Sequence, residues 1–522
     1  MTLRERTQEL LDKRAKVREM GGAERVRRQH ERGKLTARER IDVLMDAGSF
    51  QEFGQLASEW HEPWVNADGV ITGFGLVDGR TVCVAAYDFT TFGGSIGPMG
   101  EKKVTRCREW ALKQRVPMIW LVDSAGARIN PQNRNPDDIS EFANSGYLFF
   151  EQVQMSGVVP QIAAMVGPGA AGTAYVPGLA DFVPMVEKNS SMALGGPPLV
   201  EAAVGEIIDE ESLGGAEIHN RHSGVADQMV ATDRDCIAMI RHYLSFMPQN
   251  CEQKPLRRTY AARPASEEML PDSVLDMVPD NPRAAYDIKK LIRLIVDDKN
   301  DILEMKPHWA KNIVTLFGRI GGYPVGIVAN NPTQLGGILD VNSADKAARF
   351  VNLCDAFNIP LIFLQDVPGF LIGSSMEKQG IIRHGAKMLY AVARATVPKL
   401  TVIVRKAYGA GYYVMNGKAY EPDLFVSWPI GEISVMGPEG LVNIAGSKAL
   451  SMIEDPEQRA QMRKQMADVL RPYIDIFRVA RRQDVDEVID PRETRLVLLR
   501  ALELTQNKHI ERPWRKHGVS PV

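Results

Sequence analysis

Two short turns of small residues in this sequence could bind a negatively charged oxygen through their backbone N–H groups. Gly409-Ala410-Gly411 comes soon after the apolar run from Leu400 to Val404, and residues 167–172, Gly-Pro-Gly-Ala-Ala-Gly, follow a similar run that begins after Pro160. Because these residues carry little side-chain bulk, a ligand can approach their backbone closely. Backbone donors of this kind stabilise an oxyanion that develops during a reaction. Taken alone, either segment is also compatible with a plain tight turn.

The surroundings of the two turns repeat at a fixed spacing. Four pairs of positions are each separated by 243 residues: Gly75 and Gly318, Gly93-Gly94 and Gly336-Gly337, Pro117 and Pro360, Asp123 and Asp366. In both copies the pattern predicts strand, helix and buried strand in that order, as in an α/β crossover. We therefore expect two copies of one α/β domain. Each turn follows a strand, where α/β sheets place their ligands.

Composition narrows the class of protein. The 522 residues are too many for one core, and 63 Lys and Arg against 65 Asp and Glu give a net charge of −2, with no excess that favours nucleic acid or a membrane surface. The five cysteines lack C-x-x-C spacing, which indicates thiols in a reducing compartment: Cys83, Cys107, Cys236, Cys251 and Cys354. Residues 1–40 contain no apolar signal segment, so we expect a cytoplasmic enzyme. Residues 156–180 are uncharged, but their prolines and glycines argue against membrane insertion.

Several local features are predicted along the chain. Residues 3–33 form a solvated helix broken at Gly21-Gly22, and Thr36 with Glu39 forms a capping box. The proline-rich segment from Pro255 to Pro282 is interpreted as a linker between an N-terminal domain, 1–260, and a C-terminal domain, 270–522. Residues 453–483 are helical in period.

Other chemical motifs are weak. Asp123 and Asp366 could act as acid or base, but an Asp at this place is most often a helix N-cap. The stretch from His219 to His222 lacks zinc spacing and is interpreted as a solvated turn, so no metal is expected. The sequence has no P-loop and no nucleophile elbow after a strand. Two backbone oxyanion sites without an evident side-chain nucleophile suit enolate chemistry on a thioester.

Six motifs in order give a family resemblance: residues 33–41, 213–216 with 223–225, 366–370, 381–387, 405–415 and 434–437. On these motifs the chain resembles the carboxyltransferase (beta) subunit of biotin-dependent acyl-CoA carboxylases of the propionyl-CoA carboxylase type. The resemblance implies two tandem crotonase-like domains of the ClpP/crotonase superfamily, a duplicated β-β-α superhelix. It also implies a ring of six subunits, with each active site formed by the first domain of one subunit and the second domain of another.

The implied reaction moves a carboxyl group from carboxybiotin, held on a partner protein, to the α-carbon of a short-chain acyl-CoA such as propionyl-CoA. Biotin itself removes the α-proton, so no side-chain base is needed. The resemblance implies that the first domain binds acyl-CoA and the second binds biotin. Coenzyme A enters only as part of the substrate.

The resemblance also implies the site residues. Acyl-CoA binding falls on Gly169, Ala170, Ala171 and Gly172, with Ala171 and Gly172 as oxyanion donors. Biotin binding falls on Gly409, Ala410 and Gly411, with Ala410 and Gly411 as donors. This second turn reads Gly-Ala-Gly where propionyl-type relatives read Gly-Gly-Ala, and Tyr413 stands where Asp is common. In the family that position bears on the choice of acyl chain.

The sequence contains neither a Met-Lys-Met biotinylation site nor an ATP-binding loop. We therefore expect a biotin carboxylase or biotin carboxyl carrier protein as partner. The alternative function is the carboxyltransferase subunit of a sodium-pumping acyl-CoA decarboxylase such as methylmalonyl-CoA decarboxylase. A biotin-free hydratase should show paired catalytic glutamates near the first turn, and none is evident. A non-catalytic scaffold would tolerate large residues in both turns.

Overall fold

The computed structural model describes residues 1–58, 66–128 and 147–521. The chain divides into two compact units, Met1–Lys254 and Pro255–Val522. Within the described residues no helix is both long and apolar enough to cross a membrane.

The first unit is built on one mixed sheet. Its strands are β1 Gln51–Phe53, β2 Val70–Val77, β3 Arg80–Tyr87, β4 Met118–Ser124, β5 Gln161–Ala170, β6 Pro184–Val186, β7 Ser191–Ala193 and β8 Gln228–Val230. The strand order is β1-β2-β3-β4-β5-β6-β8, and β7 pairs with the end of β5. The β1–β2 and β2–β3 pairs are antiparallel, and the remaining pairs are parallel.

The first unit also contains helices. They are α1 Leu3–Arg18, α2 Ala23–Glu31, α3 Ala37–Leu44, α4 Pro98–Gln114, α5 Tyr147–Met155, α6 Gly172–Leu179, α7 Pro197–Val204, α8 Glu210–Gly214 and α9 Asp233–Phe246. Residues of α4, α5 and α6 join the core of its sheet. The predicted break at Gly21-Gly22 separates α1 from α2, and the predicted capping box of Thr36 and Glu39 starts α3.

The second unit repeats this plan. Its strands are β9 Leu303–Met305, β10 Ile313–Ile320, β11 Tyr323–Asn330, β12 Leu361–Val367, β13 Lys399–Tyr408, β14 Leu424–Ser427, β15 Glu432–Ser434 and β16 Glu487–Val488. The order β9-β10-β11-β12-β13-β14-β16, with β15 on β13, matches the first sheet strand for strand. Strands β2, β3 and β4 recur as β10, β11 and β12 at the predicted spacing of 243 residues. The predicted duplication is confirmed.

Helices also connect the strands of the second unit, and several of these helices follow the β15 strand. They are α10 Ile288–Ile295, α11 Val341–Ala356, α12 Ser374–Gln379, α13 Ile381–Arg394, α14 Gly409–Val414, α15 Pro438–Ala445, α16 Ser447–Ser451, α17 Pro456–Ile474, α18 Ile476–Ala480 and α19 Thr494–Leu504. The predicted helical stretch 453–483 is α17 and α18. The segment interpreted as a linker is not a free connection, because Leu270, Val274 and Val278 are buried in the core of the second unit.

Candidate active site

The first turn joins the end of β5 to α6. Ala171 has φ 52°, a left-handed conformation that an alanine rarely adopts, and it connects Ala170 to the first helical residue, Gly172. The N–H of Ala171 donates to the carbonyl of Ala193 in β7, at 3.1 Å. The N–H of Gly172 belongs to the first turn of α6, where no intrahelical acceptor exists. Ala171 offers this turn no side-chain cap, so the donor that the turn can present is Gly172.

The end of β4 brings a second donor to this turn. The Gly126 carbonyl accepts from Ile96 N–H at 2.8 Å, and Arg128 N–H donates to the Ile96 carbonyl at 2.9 Å. Neither bond uses the N–H of Ala127, which is exposed. A Cβ at position 126 would lie 2.7 Å from the Ala170 carbonyl oxygen, so this segment lies directly against the β5 turn. The available pair of donors is therefore Ala127 and Gly172.

This pair corrects the predicted one. Ala171 was expected to donate beside Gly172, but its N–H is used in pairing β5 with β7. Gly169 was expected to contact acyl-CoA, but it is buried, and a Cβ there would lie 2.7 Å from the Met165 methyl group. Ala127 was missed because its position beside the turn depends on a contact between two strands. The sequence signal was the small-residue run Ala125-Gly126-Ala127 at the end of a buried strand.

The second turn joins β13 to α14. Tyr408 pairs with Ser434 as Ala170 pairs with Ala193, so Gly409 corresponds to Ala171 and Ala410 to Gly172. Gly409 has φ 57°, close to that of Ala171. Ala410 is exposed, whereas Gly411 is buried, and a Cβ on Gly411 would lie 2.6 Å from a Val367 methyl group.

A strand end adjoins this turn as well. Leu339 N–H donates to Gly369 at 3.0 Å, and Leu371 N–H donates to Leu339 at 2.7 Å, which leaves Phe370 in the place of Ala127. The available donors of the second turn are therefore Phe370 and Ala410. The predicted donor Gly411 is a packing glycine, one residue further along than the equivalent of Gly172.

Tyr413 lies on the exposed side of α14. Its side chain is 46% exposed. Tyr413 is the third residue after Ala410, so the two residues lie on the same helix face. The ring centroid of Tyr413 is 5.4 Å from that of Tyr412. Tyr413 therefore lies on the same side of α14 as the Ala410 donor, and its role in specificity stays a prediction.

Comparisons with known proteins identify the family of this chain. Residues 28–520 match the carboxyl transferase domain. The chain belongs to the carboxyl transferase family. It is 42% identical to the propionyl-CoA carboxylase carboxyltransferase subunit of Haloferax mediterranei and 42% identical to methylmalonyl-CoA decarboxylase subunit alpha of Veillonella parvula, with 100% of both chains covered in each comparison.

A solved structure of the family has the same fold. The crystal structure of transcarboxylase 12S, described as a hexamer with methylmalonyl-coenzyme A and methylmalonic acid bound, matches with a TM-score of 0.92 at 40% identity, over 100% of this chain and 99% of the other. These findings confirm the predicted fold of two tandem crotonase-like domains, and the chain is a carboxyltransferase.

The aspartates at the strand ends of this carboxyltransferase were predicted to be helix N-caps. That prediction is wrong. Asp123 is fully buried and accepts from Lys34 at 2.7 Å, Arg40 at 2.8 Å and Gln29 at 2.9 Å. Burial lowers the pKa of Lys34, and the Asp123 carboxylate opposes that shift. In the second domain, Asp366 accepts from Arg405 at 3.0 and 3.1 Å. Both aspartates fix the ends of β4 and β12, the strands that precede Ala127 and Phe370.

A cavity of about 330 Å³ lies in the first unit of the carboxyltransferase. It is bordered by α2 and the loop after β3, and its lining residues are Arg25, Arg28, Gln29, Arg32, Phe89, Thr90, Phe92 and Gly93. Ala125 N–H donates to the Gly93 carbonyl at 2.8 Å, which joins this loop to the strand end that carries Ala127. The cavity thus opens at the same edge of the sheet as the turn, and its lining contains three arginines, of which Arg28 pairs with Glu24 at 3.0 Å.

The stretch from His219 to His222 is not a solvated turn. Asn220 is buried, and the His219 ring bonds the Met192 carbonyl at 2.8 Å and the Ser223 hydroxyl at 2.7 Å. Burial lowers the pKa of His219, and its bond to Met192 supports the β7 strand next to Ala193. In the described part of the chain no group of three or more His, Cys, Asp and Glu side chains could hold a metal.

Proposed function

We propose that this carboxyltransferase moves a carboxyl group between biotin on a partner protein and the α-carbon of a short-chain acyl-CoA. The observation that carries the proposal is the duplicated turn, with a pair of backbone donors at each strand edge: Ala127 with Gly172, and Phe370 with Ala410. The reaction has two oxygens that become negative, the thioester oxygen of the enolate and the ureido oxygen of biotin. Two preformed pairs of donors suit them.

The first domain binds acyl-CoA in this proposal. The thioester oxygen accepts from Ala127 and Gly172, and the phosphates of the CoA nucleotide lie in the arginine cavity. Arg25 is held in place by a 3.3 Å bond to the Thr90 carbonyl, and Arg28 and Arg32 follow on the same side of α2 or just beyond its end. Guanidinium groups bind phosphate oxygens with charge-assisted hydrogen bonds.

The second domain binds biotin in this proposal. The exposed Ala410 and the side-chain-free Gly409 leave room for a planar ring to reach the N–H groups, so the turn fits the cofactor. When bound, biotin supplies the nitrogen that carries the carboxyl group and accepts the α-proton. Phe370 and Ala410 hold the ureido oxygen, and Tyr413 borders the acyl chain.

The assembly belongs to the same proposal. We infer a partner that carries biotin, a biotin carboxylase or biotin carboxyl carrier protein, and a hexamer in which the first domain of one subunit meets the second domain of another. The hexamer described for transcarboxylase 12S supports the number of subunits. Light scattering should give about six times the 57.9 kDa chain mass. The buried thiols of Cys83, Cys107, Cys236 and Cys354 support a cytoplasmic location.

The second candidate function is the reverse direction. The identity of 42% to a methylmalonyl-CoA decarboxylase subunit equals that to the carboxylase subunit, and both functions need the same two donor pairs. The neighbouring genes separate the two: a biotin carboxylase gene supports the carboxylase, and a membrane decarboxylase gene supports the decarboxylase.

The test is carboxyl transfer by the purified chain without ATP. Methylmalonyl-CoA and free biotin should give propionyl-CoA and carboxybiotin, because the carboxyl group moves to biotin and the biotin proton moves to the α-carbon. The reaction mixture without biotin is the control. Bicarbonate fixation driven by ATP in the isolated chain, or turnover that does not need biotin, would contradict the proposal.

The nucleotide subsite is tested by a truncated substrate. The combined variant Arg25→Ala, Arg28→Ala and Arg32→Ala should raise KM for methylmalonyl-CoA about 10-fold or more, since each lost bond to a charged group is worth about 1.5–3 kcal/mol. KM for methylmalonyl-pantetheine, which lacks the nucleotide, should stay unchanged. The matched control is Arg27→Ala, because Arg27 pairs with Glu24 and Glu31 outside the cavity. An equal rise in KM for both substrates would show that the phosphates do not bind in this cavity.

A further inference from the structure

The two turns are fastened in different ways. In the first domain the Thr173 hydroxyl accepts from Ala170 N–H at 3.0 Å and donates to the Ala170 carbonyl at 2.8 Å, which closes the turn on itself. The equivalent of Thr173 in the second domain is Gly411, which has no hydroxyl. The second turn must therefore be held by another group.

Tyr408 provides that connection. It is the last residue of β13, directly before Gly409, and it is 5% exposed. Its hydroxyl donates to Glu432 of β15. A Cβ at position 437 would lie 3.3 Å from the Tyr408 ring, so Gly437 closes over it. Burial, followed by the Glu432 carboxylate, raises the pKa of Tyr408, which keeps the phenol protonated as a donor.

Glu432 is held in turn by a helix outside the sheet. Arg471 of α17 bonds Glu432 at 3.2 Å and Glu439 at 3.0 Å. The chain at Asp475, just after α17, also pairs with the backbone of Glu432. The α17 helix packs on α15 and α16 through a small cluster of its own, which includes Val442, Leu450 and Ala467, apart from the main core of the domain.

Within the residues that the structure describes, the first domain has the backbone part of this arrangement, since Ser191 pairs with Gly215 as Glu432 pairs with Asp475, but it does not have the side-chain link. The residues that correspond to Tyr408 and Glu432 are Ala170 and Ser191, which form no comparable link. Between β7 and β8 the first domain has α7, α8 and one turn of π-helix, Ile218–His222, whereas the second has the 19-residue α17. The link from Arg471 to the turn is thus specific to the domain assigned to biotin.

We propose that Arg471 is a positioning residue for the biotin-side turn, acting through Glu432 and Tyr408. This inference rests on the proposed function. Arg471 touches neither Gly409 nor Ala410. It orients the side chain of the residue that begins the turn, so the α17 helix sets the direction of the Ala410 N–H.

The test compares the two substrates in the ATP-free transfer assay. Arg471→Gln and Tyr408→Phe should each lower kcat/KM for free biotin about 10-fold, with KM for methylmalonyl-CoA within about twofold of wild type. The double variant should be no worse than either single one, because both break the same connection. Arg471→Lys, which keeps the charge, should recover part of the loss. Lys464→Gln removes an exposed charge from the same helix and is the matched control.

The outcomes separate positioning from stability. Normal kcat/KM for biotin in Arg471→Gln, with only a lower melting temperature, would overturn the proposal, and so would equal losses for both substrates. Additive losses in the double variant would also contradict it, since they would mean two independent connections. If wild type itself transfers no carboxyl group to biotin, the proposed function fails and not this inference alone.

Discussion

The two domains share their strand registers but differ in what holds each donor turn. The first turn is closed locally by Thr173 and by the Ala193 carbonyl. The second turn contains Gly411 in place of Thr173. It is held by the hydrogen bond from Tyr408, the residue before the turn, to Glu432 of β15. The backbone donors were kept after duplication while the supporting side chains changed. A site made of main-chain atoms permits this change, because its chemistry does not depend on side-chain identity.

The buried aspartates differ in the same way. Asp123 lies among Lys34, Arg40 and Gln29, which come from the N-terminal segment, and Arg40 also pairs with Asp233 at 2.7 Å. Asp366 has Arg405 from the adjacent strand and accepts from Lys406 N–H at 3.2 Å. In the first domain, the end of β4 is therefore held by residues from a distant part of the sequence. In the second domain, the end of β12 is held by a residue of the adjacent strand.

The largest expected effect follows from this difference. Asp123→Ala should destabilise the protein by about 3–5 kcal/mol, because it leaves Lys34 without a partner and Arg40 with only one carboxylate. Asp366→Ala should cost less, since Arg405 retains carbonyl contacts at Asn281 and Ala284. Thermal unfolding of the two variants measures the difference. The exposed Asp276→Ala is the control, and an equal or larger loss in Asp366→Ala would contradict the comparison.

A smaller effect is expected at equivalent tyrosines. Tyr413 on α14 corresponds to Tyr175 on α6, and the two are 46% and 52% exposed. Tyr413→Asp should change the ranking of kcat/KM among acetyl-, propionyl- and longer acyl-CoA by about 10-fold, because a pocket change of one methylene is worth about 1–3 kcal/mol. Tyr175→Asp is the matched variant. A ranking that changes only with Tyr175→Asp would show that Tyr175, and not Tyr413, borders the acyl chain.

The smallest effect concerns the local closure of the first turn. Thr173→Val removes the hydroxyl that bonds both polar groups of Ala170, and it should cost about 1–2 kcal/mol of stability and raise KM for acyl-CoA. Thr173→Ser keeps the hydroxyl and should behave like wild type. A change in the biotin kinetics with Thr173→Val, with acyl-CoA unaffected, would show that the two turns do not serve separate substrates.

Much of the fold could be predicted from the sequence. Apolar runs, turn residues and a constant spacing of 243 residues identified the strands and the duplication, since these signals are local or periodic. Asp123 was misassigned as a cap because its partners, Lys34 and Arg40, are more than 80 residues away, and Asp366 because its partner, Arg405, is 39 residues away on another strand.

Of the residues predicted for the two turns, Gly172 and Ala410 keep an available N–H, and the donors at the neighbouring strand ends were not predicted. Ala171 adopts a positive φ, which alanine disfavours. Its residue type therefore did not indicate that it corresponds to Gly409. Gly411 looked like a donor because it is small, but its size serves the contact with Val367. Ala127 and Phe370 were missed because each reaches its turn through a neighbouring strand.

The central claim is that the first turn serves acyl-CoA and the second serves biotin, and a crossed kinetic measurement tests it most directly. Both positions accept a larger side chain: a Cβ on Gly172 would lie 3.5 Å from Phe149, an ordinary contact, and Ala410 is exposed. Gly172→Val and Ala410→Val should each lower turnover about 10²–10³-fold by obstructing an oxyanion donor. KM should rise for methylmalonyl-CoA only in Gly172→Val and for free biotin only in Ala410→Val. Full activity in either variant, or a rise of the same KM in both, would contradict the division between the two domains.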